Sequence, residues 1–403
     1  MEPCTCAAVP FRDVNATIRF PPKMERKVLS AISDGIFWVT SDMQFRILGS
    51  WRVMAALLVM VFHFLNYGPP SAVAGTFRLL SLMPLLDTFL IISGFLIMER
   101  YSDRLLMERG SYRHFLVRRV ARFYPLYLVT LAYFVGIGIL VNLGFGGSDT
   151  PGRYDFAALP ANILLVQGWG VTSQLTFNYV GWTLSAEWFC YLLLPVIVLA
   201  WRGFGLKGLA ALAVLAILLL EAMVATGLMP FEKWYYADTW GAYRAFADFA
   251  VGGFLAMASR KVTLRFVNHA VVWGVFALAI VLMWNGLAGY PALALLSLAI
   301  FLAAVAERQA PQASGYLAFL DGLSVASFSL YLIHPVVASV MLNIGWRRIL
   351  EPMQVMSFYA FLPVAIIVAI ALAIASSRWF EPRAAKAING LFAPSKSRQA
   401  AAV

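Results

Sequence analysis

Residues 47–67 read ILGSWRVMAALLVMVFHFLNY. The stretch is apolar around the whole circumference of a helix, and at about 1.5 Å per residue it is long enough to cross the hydrocarbon core of a bilayer, about 30 Å. It lacks the alternation of apolar and polar side chains that a membrane strand needs. Backbone groups in hydrocarbon must find their partners within their own segment, so the stretch predicts a transmembrane helix.

Similar apolar runs fill most of the 403 residues. Hydrophobic residues make up 61% and charged residues 13% of the chain, against roughly 25% charged in soluble domains. This composition excludes a soluble globule, an intrinsically disordered chain, a coiled coil and a disulfide-stapled secreted domain. It predicts an all-α fold, a polytopic membrane bundle of about ten transmembrane helices. The predicted spans lie near residues 48–67, 80–98, 123–143, 181–200, 206–226, 241–258, 269–286, 290–306, 322–343 and 355–376.

The distribution of Lys and Arg predicts the orientation of this bundle. With the N-terminus in the cytosol, 24 of the 31 basic residues fall in the segments placed inside and 5 in the loops placed outside. Cytoplasmic loops carry such an excess, so both termini are predicted to be cytosolic. The same distribution explains the formal net charge of +11 without a nucleic-acid partner. Membrane lipids are the expected surroundings.

The sequence divides into three segments. Residues 1–45 are polar and irregular and predict a loosely ordered cytosolic N-terminal extension, residues 46–380 form the transmembrane domain, and residues 381–403 form a cytosolic C-terminal tail. Within the domain, a long outside loop at 144–180 carries a short apolar piece, residues 158–169, that is too short to span a bilayer.

The first span carries two ionisable residues, Arg52 and His63. Ionisable groups in hydrocarbon cost about 2.5–3.5 kcal/mol on insertion scales, so each is a candidate functional residue. Their separation corresponds to about three helical turns, so both side chains face the same way, about 16 Å apart along the axis. Taken singly, Arg52 could extend to the cytosolic headgroups and His63 could make one interhelical hydrogen bond. Because the two side chains lie on the same side of the helix, the sequence favours a joint function of Arg52 and His63.

The second span carries Asp87 in its outer half, followed by the small pair Ser93 and Gly94. Small residues let helices pack closely, which is the preferred interpretation of that pair. A carboxylate at the depth of Asp87 needs a partner, and His63 lies at a similar depth. We therefore expect Asp87 to pair with His63.

The next inside loop contains the sequence RRVARFYPLYL, in which Arg118, Arg119 and Arg122 occupy adjoining faces of a helical turn. Positive charge here fixes the loop inside and contacts anionic lipid. The alternative is a binding site for a cytosolic phosphate-bearing substrate, because the guanidinium fork binds phosphate in a bidentate manner. Both interpretations are compatible with the sequence.

Two later spans also carry polar groups. The fourth opens with GWTLSAEWFCYLLLP, which places Trp182, Ser185 and Glu187 near its outer end. Glu187 lies in an apolar run, so its expected partner is an intramembrane cation or histidine. The ninth span places His334 in mid-membrane directly before Pro335, which is also compatible with a simple helix kink.

At these residues the sequence resembles the membrane acyltransferase-3 family of polytopic enzymes that acylate surface polysaccharides, lipopolysaccharide and other secreted glycans. The resemblance covers residues 46–386. It rests on the Arg-ten residues-His spacing from Arg52 to His63 and on the motifs TFLIISGFLI, RRVARFYPLYL, GWTLSAEWFCYLLLP, FSLYLIHP and RWFEPRA in that order. One departure is that family members often read Leu-Asp-Gly-Leu-Arg where this chain has Leu48, Gly49, Ser50, Trp51 and Arg52.

The resemblance implies transfer of an acyl group, by default acetyl, from cytosolic acyl-CoA to a hydroxyl of a glycan or glycolipid outside the cytoplasm of a bacterium, at its inner membrane. No metal is expected. The residues expected to act in catalysis are His63, Arg52, Glu187 and Asp87. Those expected to bind acyl-CoA are Arg118, Arg119, Arg122 and Tyr127, and those expected to bind the acceptor are Trp182, Ser185, His334 and Ser93.

The expected mechanism has His63 as general base, oriented by Asp87 or Glu187, taking the proton of the acceptor hydroxyl as it attacks the thioester. Direct transfer and a covalent acyl-enzyme both remain open. A transporter or flippase of a lipid-linked sugar is the alternative function, because such proteins also carry intramembrane Arg, His and Glu. A receptor or scaffold function would not explain why two ionisable residues, Arg52 and His63, lie on the same side of a membrane helix.

Overall fold

The computed structural model describes residues 45–107, 110–145, 147, 150, 152–236 and 238–392. The predicted N-terminal extension therefore lies outside the described residues except for Phe45, as does the predicted tail beyond residue 392.

The described part of the chain is all-helical, with no β-strand in it, as the apolar runs predict. The helices are α1 (Arg46–Leu65), α2 (Pro70–Leu80), α3 (Pro84–Tyr101), α4 (Ser111–Asn142), α5 (Leu159–Ile163), α6 (Gly181–Ala225), α7 (Gly241–Ser259), α8 (His269–Trp284), α9 (Tyr290–Gln309), α10 (Asp321–Val337), α11 (Phe358–Ala375) and α12 (Glu381–Leu391).

Each of the ten predicted spans coincides with helical structure, but the count of ten is not confirmed. Among the described residues, six helices are long and apolar enough to cross a membrane, or seven if the pair α2 and α3, bent by 51°, is one span. Besides α3, which qualifies only together with α2, two of the predicted spans do not qualify. α7 carries an arginine and an aspartate, and α8 has only 16 residues.

Helix α6 contains a break that explains part of the difference in count. It runs over 45 residues, and a straight helix of that length would extend about 68 Å, more than twice the thickness of a hydrocarbon core. Gly205 interrupts it with φ 59° and ψ −141°, a conformation that glycine adopts without a side-chain clash. The break falls in the short gap between the fourth and fifth predicted spans.

Helices α3 and α7 pack closely through glycines. A Cβ atom added to Gly94 would lie 2.3 Å from the carbonyl oxygen of Phe249, and one added to Gly252 would lie 2.0 Å from that of Ile91. Side chains larger than hydrogen are therefore excluded at both positions. This contact confirms the packing interpretation of the small pair that contains Gly94.

The end of the bundle at which α1 begins is held by carboxylates. Glu307, at the end of α9, accepts a hydrogen bond of 3.0 Å from the backbone N–H of Ile47 and so satisfies one free donor of the first turn of α1. On α3, Glu99 accepts hydrogen bonds from Arg260 at 3.0 Å and from Arg308 at 2.5 Å. These contacts fix the start of α1 against α3, α7 and α9.

Helix α10 changes its winding directly after a proline. Pro335 lies inside the helix, and from Ala338 to Leu350 the chain continues as a π-helix. A second π-helical turn, Ser376–Phe380, joins α11 to α12. Helix α12, within the segment assigned to the tail, packs against α4.

Candidate active site

Two histidines that are distant in sequence lie together at the end of α1. The ring of His63 is 5.3 Å from that of His334 on α10, centroid to centroid, and the two planes are inclined by 19°. Tyr179, just before α6, packs its ring edge-on against His63 at 4.8 Å. His63 is half-buried, whereas His334 is completely buried. The structure thus brings together the expected base and one of the residues expected to bind the acceptor.

Arg52 and His63 are connected through aromatic side chains of two other helices. The Arg52 guanidinium lies 4.6 Å from the ring centroid of Phe89 on α3. The Phe89 ring lies 6.4 Å from that of Tyr331 on α10, which in turn lies 5.7 Å from the ring of His334. A continuous series of ring contacts therefore leads from the arginine to the paired histidines.

A narrow cavity adjoins this series of rings. It contains about 370 Å³ of space between atoms, counting the part that opens outward. Phe89 and Tyr331 form part of its wall, together with Glu187 and Thr183 from α6. The remaining lining residues are Leu86, Leu90, Leu184, Phe328 and Leu332. The cavity is thus mostly apolar, with one carboxylate in its wall.

Glu187 has a tyrosine as its hydrogen-bond partner. Its carboxylate accepts a 2.7 Å hydrogen bond from the hydroxyl of Tyr191, one turn further along α6, where a cation or histidine was expected. The Arg119 guanidinium lies 5.4 Å from the centroid of the Tyr191 ring. Tyr191 therefore contacts both the carboxylate and an arginine, and the expectation that Glu187 pairs with a cation or histidine stays a prediction.

Asp87 is also bound differently, and the expected pairing with His63 is wrong. Its two carboxylate oxygens accept hydrogen bonds from Arg244 Nε at 2.5 Å and Arg244 Nη2 at 2.7 Å. Both side chains are buried. Arg244 lies on α7, and the close approach of α7 to α3 brings it to the aspartate. A bidentate pair of this kind satisfies both buried charges.

The three arginines of the basic loop lie on α4, as its helical spacing predicts, but they are not equivalent. Arg119 is buried, and its guanidinium contacts the rings of Tyr101 and Phe115 at 5.5 and 5.3 Å in addition to Tyr191. Arg118 and Arg122 are half-buried. Arg119 is therefore held by aromatic faces and is more buried than Arg118 and Arg122.

Tyr127 and Ser185 hold the segment 156–170, here called the packed loop. The Tyr127 hydroxyl donates to the carbonyl of Asn162 at 2.8 Å and accepts from Gln167 Nε2 at 3.2 Å. The structure gives this buried tyrosine hydrogen bonds that anchor the loop, and its expected contact with acyl-CoA stays a prediction.

Ser185 has the same kind of role. Its hydroxyl accepts from the N–H of Gly168 at 3.0 Å and donates to the carbonyl of Leu165 at 2.8 Å. The Trp182 ring packs on Gly241, where an added Cβ would lie 2.3 Å from Cζ3. All three side chains of Ser185, Trp182 and Ser93 are buried, so the expected acceptor contacts of these residues do not follow from the structure.

Three residues around the histidines were not predicted from the sequence to belong to the site. Tyr331 lies one turn before His334, within the motif FSLYLIHP, and this spacing could have identified it. Tyr179 and Arg153 belong to the long loop before α6, where no periodicity marks them. The Arg153 guanidinium lies 4.9 Å from the ring centroid of Tyr179. The same tyrosine ring contacts His63, so a cation lies next to a direct neighbour of His63.

No group of three or more His, Cys, Asp or Glu side chains within the described ranges is arranged to hold a metal ion.

The comparison with known families decides the identity. A family described as an acyltransferase domain matches residues 47–376, most of the chain and the whole region that contains these side chains. The chain belongs to the membrane acyltransferase-3 family. Its identification as an acyltransferase of the O-acyltransferase type follows.

Two curated relatives agree with membership of the acyltransferase-3 family. Nodulation protein 10 of Rhizobium leguminosarum bv. viciae is 26% identical over 332 residues, 73% of this chain and 83% of the relative. Acyltransferase MdmB of Streptomyces mycarofaciens is 33% identical over 112 residues, which is 27% of each chain. No solved structure matches the chain.

Proposed function

We propose that this enzyme moves an acyl group, by default acetyl, from cytosolic acyl-CoA to a hydroxyl of a glycan or glycolipid outside the cytoplasm. The observation that carries the proposal is the pair of stacked imidazoles at one end of α1, connected by ring contacts to Arg52 near its other end. This arrangement places an acid-base group and a cation at the two ends of one path. The glycan acceptor and acyl-CoA donor come from the family resemblance.

The proposed setting is a bacterial inner membrane crossed about ten times, with both termini in the cytosol. Helical structure at each of the ten predicted spans and the break at Gly205 support this topology. The excess of Lys and Arg in alternate loops supports the orientation. In this orientation, the basic loop and Arg52 face the cytosol, and His63 lies toward the outer surface.

In the proposed reaction His63 acts as general base. Its ring nitrogen takes the proton of the acceptor hydroxyl, the hydroxyl oxygen forms a bond to the thioester carbon, and the carbon–sulfur bond then breaks. The imidazolium returns the proton to the departing thiolate, so the products are an ester and free CoA thiol. General-base catalysis of this kind contributes typically about 10²–10⁴-fold.

In this proposal the donor enters from the basic loop. Arg118 and Arg122 on α4 bind the phosphates of acyl-CoA, because the guanidinium fork matches phosphate oxygens. Arg119, next to Arg118 in the chain, is held by three aromatic rings and adds its positive charge to the same helix. The acyl arm passes Arg52 and follows the ring contacts of Phe89 and Tyr331 to the histidines.

The test uses purified protein in lipid vesicles with radiolabelled acetyl-CoA and an extract of cell-envelope glycans as acceptor. We expect free thiol to appear in proportion to acetyl ester on the glycan. Protein carrying His269→Ala, a change at a histidine on α8 outside the site, is the matched control and should behave as wild type. Transport of a lipid-linked sugar without consumption of acetyl-CoA would contradict the proposal and favour a flippase.

A further inference from the structure

His334 is a buried polar residue without the partners that such residues normally have. Its exposure is 0%, and neither ring nitrogen makes a hydrogen bond of normal geometry to a residue that the structure describes, although the backbone carbonyls of Leu330 and Tyr331 lie close to the ring. Buried polar side chains in native proteins are hydrogen-bonded in the large majority of cases, so each exception requires an explanation. An imidazole in its neutral form carries one N–H donor and one acceptor nitrogen. No side chain of the described residues is bonded to either nitrogen.

The surroundings of His334 show that its position is held by packing. Its ring contacts the rings of His63, Tyr331 and Phe64, with centroids 5.3, 5.7 and 6.4 Å away. Pro335 follows it directly, and the helix continues as a π-helix from Ala338. Such irregular helical turns occur frequently at functional sites. The backbone irregularity and the unpartnered ring thus mark the same place.

The geometry of the two imidazoles suits an acyl-transfer centre. Their planes differ by only 19° and their centroids are 5.3 Å apart, so the rings are stacked nearly parallel to each other. A tetrahedral carbon placed at their common edge could direct one oxygen to each ring, at hydrogen-bond distances of about 2.7–3.1 Å. One ring would then serve the attacking oxygen and the other the carbonyl oxygen of the thioester.

We propose that His334 is a second catalytic residue, whose ring N–H donates a hydrogen bond to the thioester carbonyl oxygen while it becomes an oxyanion. This inference rests on the proposed function, in which His63 takes the proton of the acceptor hydroxyl. His334 keeps its own proton throughout. When the carbon–sulfur bond breaks, the oxyanion returns to a carbonyl and the hydrogen bond weakens to its ground-state strength.

The first test compares two kinds of substitution. His334→Phe keeps an aromatic ring for packing against His63 but removes the donor, whereas His334→Gln and His334→Asn supply an amide N–H near the two positions of the imidazole nitrogens. We expect His334→Phe to reduce the rate of acetyl transfer by about 10²–10³-fold, the cost of losing one oxyanion donor. At least one amide variant should recover part of that loss. The wild-type rate in His334→Phe would overturn the inference.

The second test measures the hydrogen bond directly. The probe is a ketone analogue of acetyl-CoA, in which CH₂ replaces the sulfur, and its carbonyl stretch is recorded by infrared spectroscopy with the analogue bound to the enzyme in vesicles. We expect a lower frequency in wild type and in the active amide variant than in His334→Phe. Equal frequencies in wild type and His334→Phe would overturn the inference even if one variant folded poorly.

The two tests separate this inference from the proposed function. If wild type releases free CoA with acetyl ester but His334→Phe does so equally well, His334 is not the oxyanion donor and the proposed function stands. If wild type neither binds the analogue nor consumes acetyl-CoA, both proposals fall.

Discussion

The buried ion pair between Asp87 and Arg244 is a quantitative test of how α3 and α7 are held together. The aspartate and arginine side chains are only 2% and 7% exposed, and two hydrogen bonds of 2.5 and 2.7 Å join them. The third guanidinium nitrogen donates to the carbonyl of Tyr235 at 2.6 Å. Asp87→Leu would leave a buried guanidinium without its bidentate partner, with the buried Asp248 as the remaining carboxylate that interacts with it.

We expect Asp87→Leu to lower the free energy of unfolding by about 3–5 kcal/mol, the cost of removing one partner of a buried pair. This corresponds to about two to four orders of magnitude in the unfolding equilibrium, since each 1.4 kcal/mol is a factor of ten. The double variant Asp87→Leu with Arg244→Met removes both charges, and such apolar replacements are often neutral or stabilising by about 1–4 kcal/mol. The double variant should therefore be more stable than Asp87→Leu.

The assay is unfolding by sodium dodecyl sulfate in mixed micelles, followed by tryptophan fluorescence. Arg260→Met is the control, because its ion pair with Glu99 is more exposed, 27% and 19% for the two side chains. Exposed pairs contribute about 0.2–1 kcal/mol, so this variant should unfold close to wild type. Equal destabilisation by Asp87→Leu and Arg260→Met would contradict a special contribution of the buried pair to stability. So would a double variant whose loss of stability equals the sum of the losses in Asp87→Leu and Arg244→Met.

Three further changes test the packing that positions the site. Gly252→Ala places a Cβ atom 2.0 Å from the carbonyl oxygen of Ile91, so overpacking should cost about 1–3 kcal/mol in the same unfolding assay. Ser185→Ala removes two hydrogen bonds to the packed loop, and we expect faster proteolytic cleavage within that loop and a stability loss of about 1–3 kcal/mol. Glu307→Ala leaves the first turn of α1 without its carboxylate acceptor, which should cost about 0.5–2 kcal/mol, whereas Glu307→Gln should retain most of the capping bond. Unchanged unfolding midpoints in these variants would contradict the contacts described.

The helices could be predicted from sequence because the signal for a membrane helix is local. A run of apolar residues such as 47–67 carries its own length and polarity, and the structure places α1 over nearly the same residues. The number of spans could not be predicted in the same way, since α7 owes its burial to neighbours. Its Arg244 and Asp248 are tolerated because the rest of the bundle surrounds them.

The partners of the polar residues depend on contacts between helices, and no local pattern contains them. Arg244 is 157 residues from Asp87, and the two meet only because glycines let α3 and α7 approach. His63 was proposed as a site residue from the cost of burying it and His334 from the family resemblance, but their stacking could not be predicted. The contacts of Tyr191 with Glu187 and Arg119 could not be predicted for the same reason.

In the proposed reaction the imidazole of His63 is the general base for acyl transfer from acetyl-CoA. The most direct measurement is the initial rate at which purified enzyme in vesicles transfers labelled acetyl to cell-envelope glycan, compared between wild type and His63→Ala. We predict that His63→Ala, with an unchanged unfolding midpoint, is slower by about 10²–10⁴-fold. Turnover at the wild-type rate in the folded variant would contradict the account.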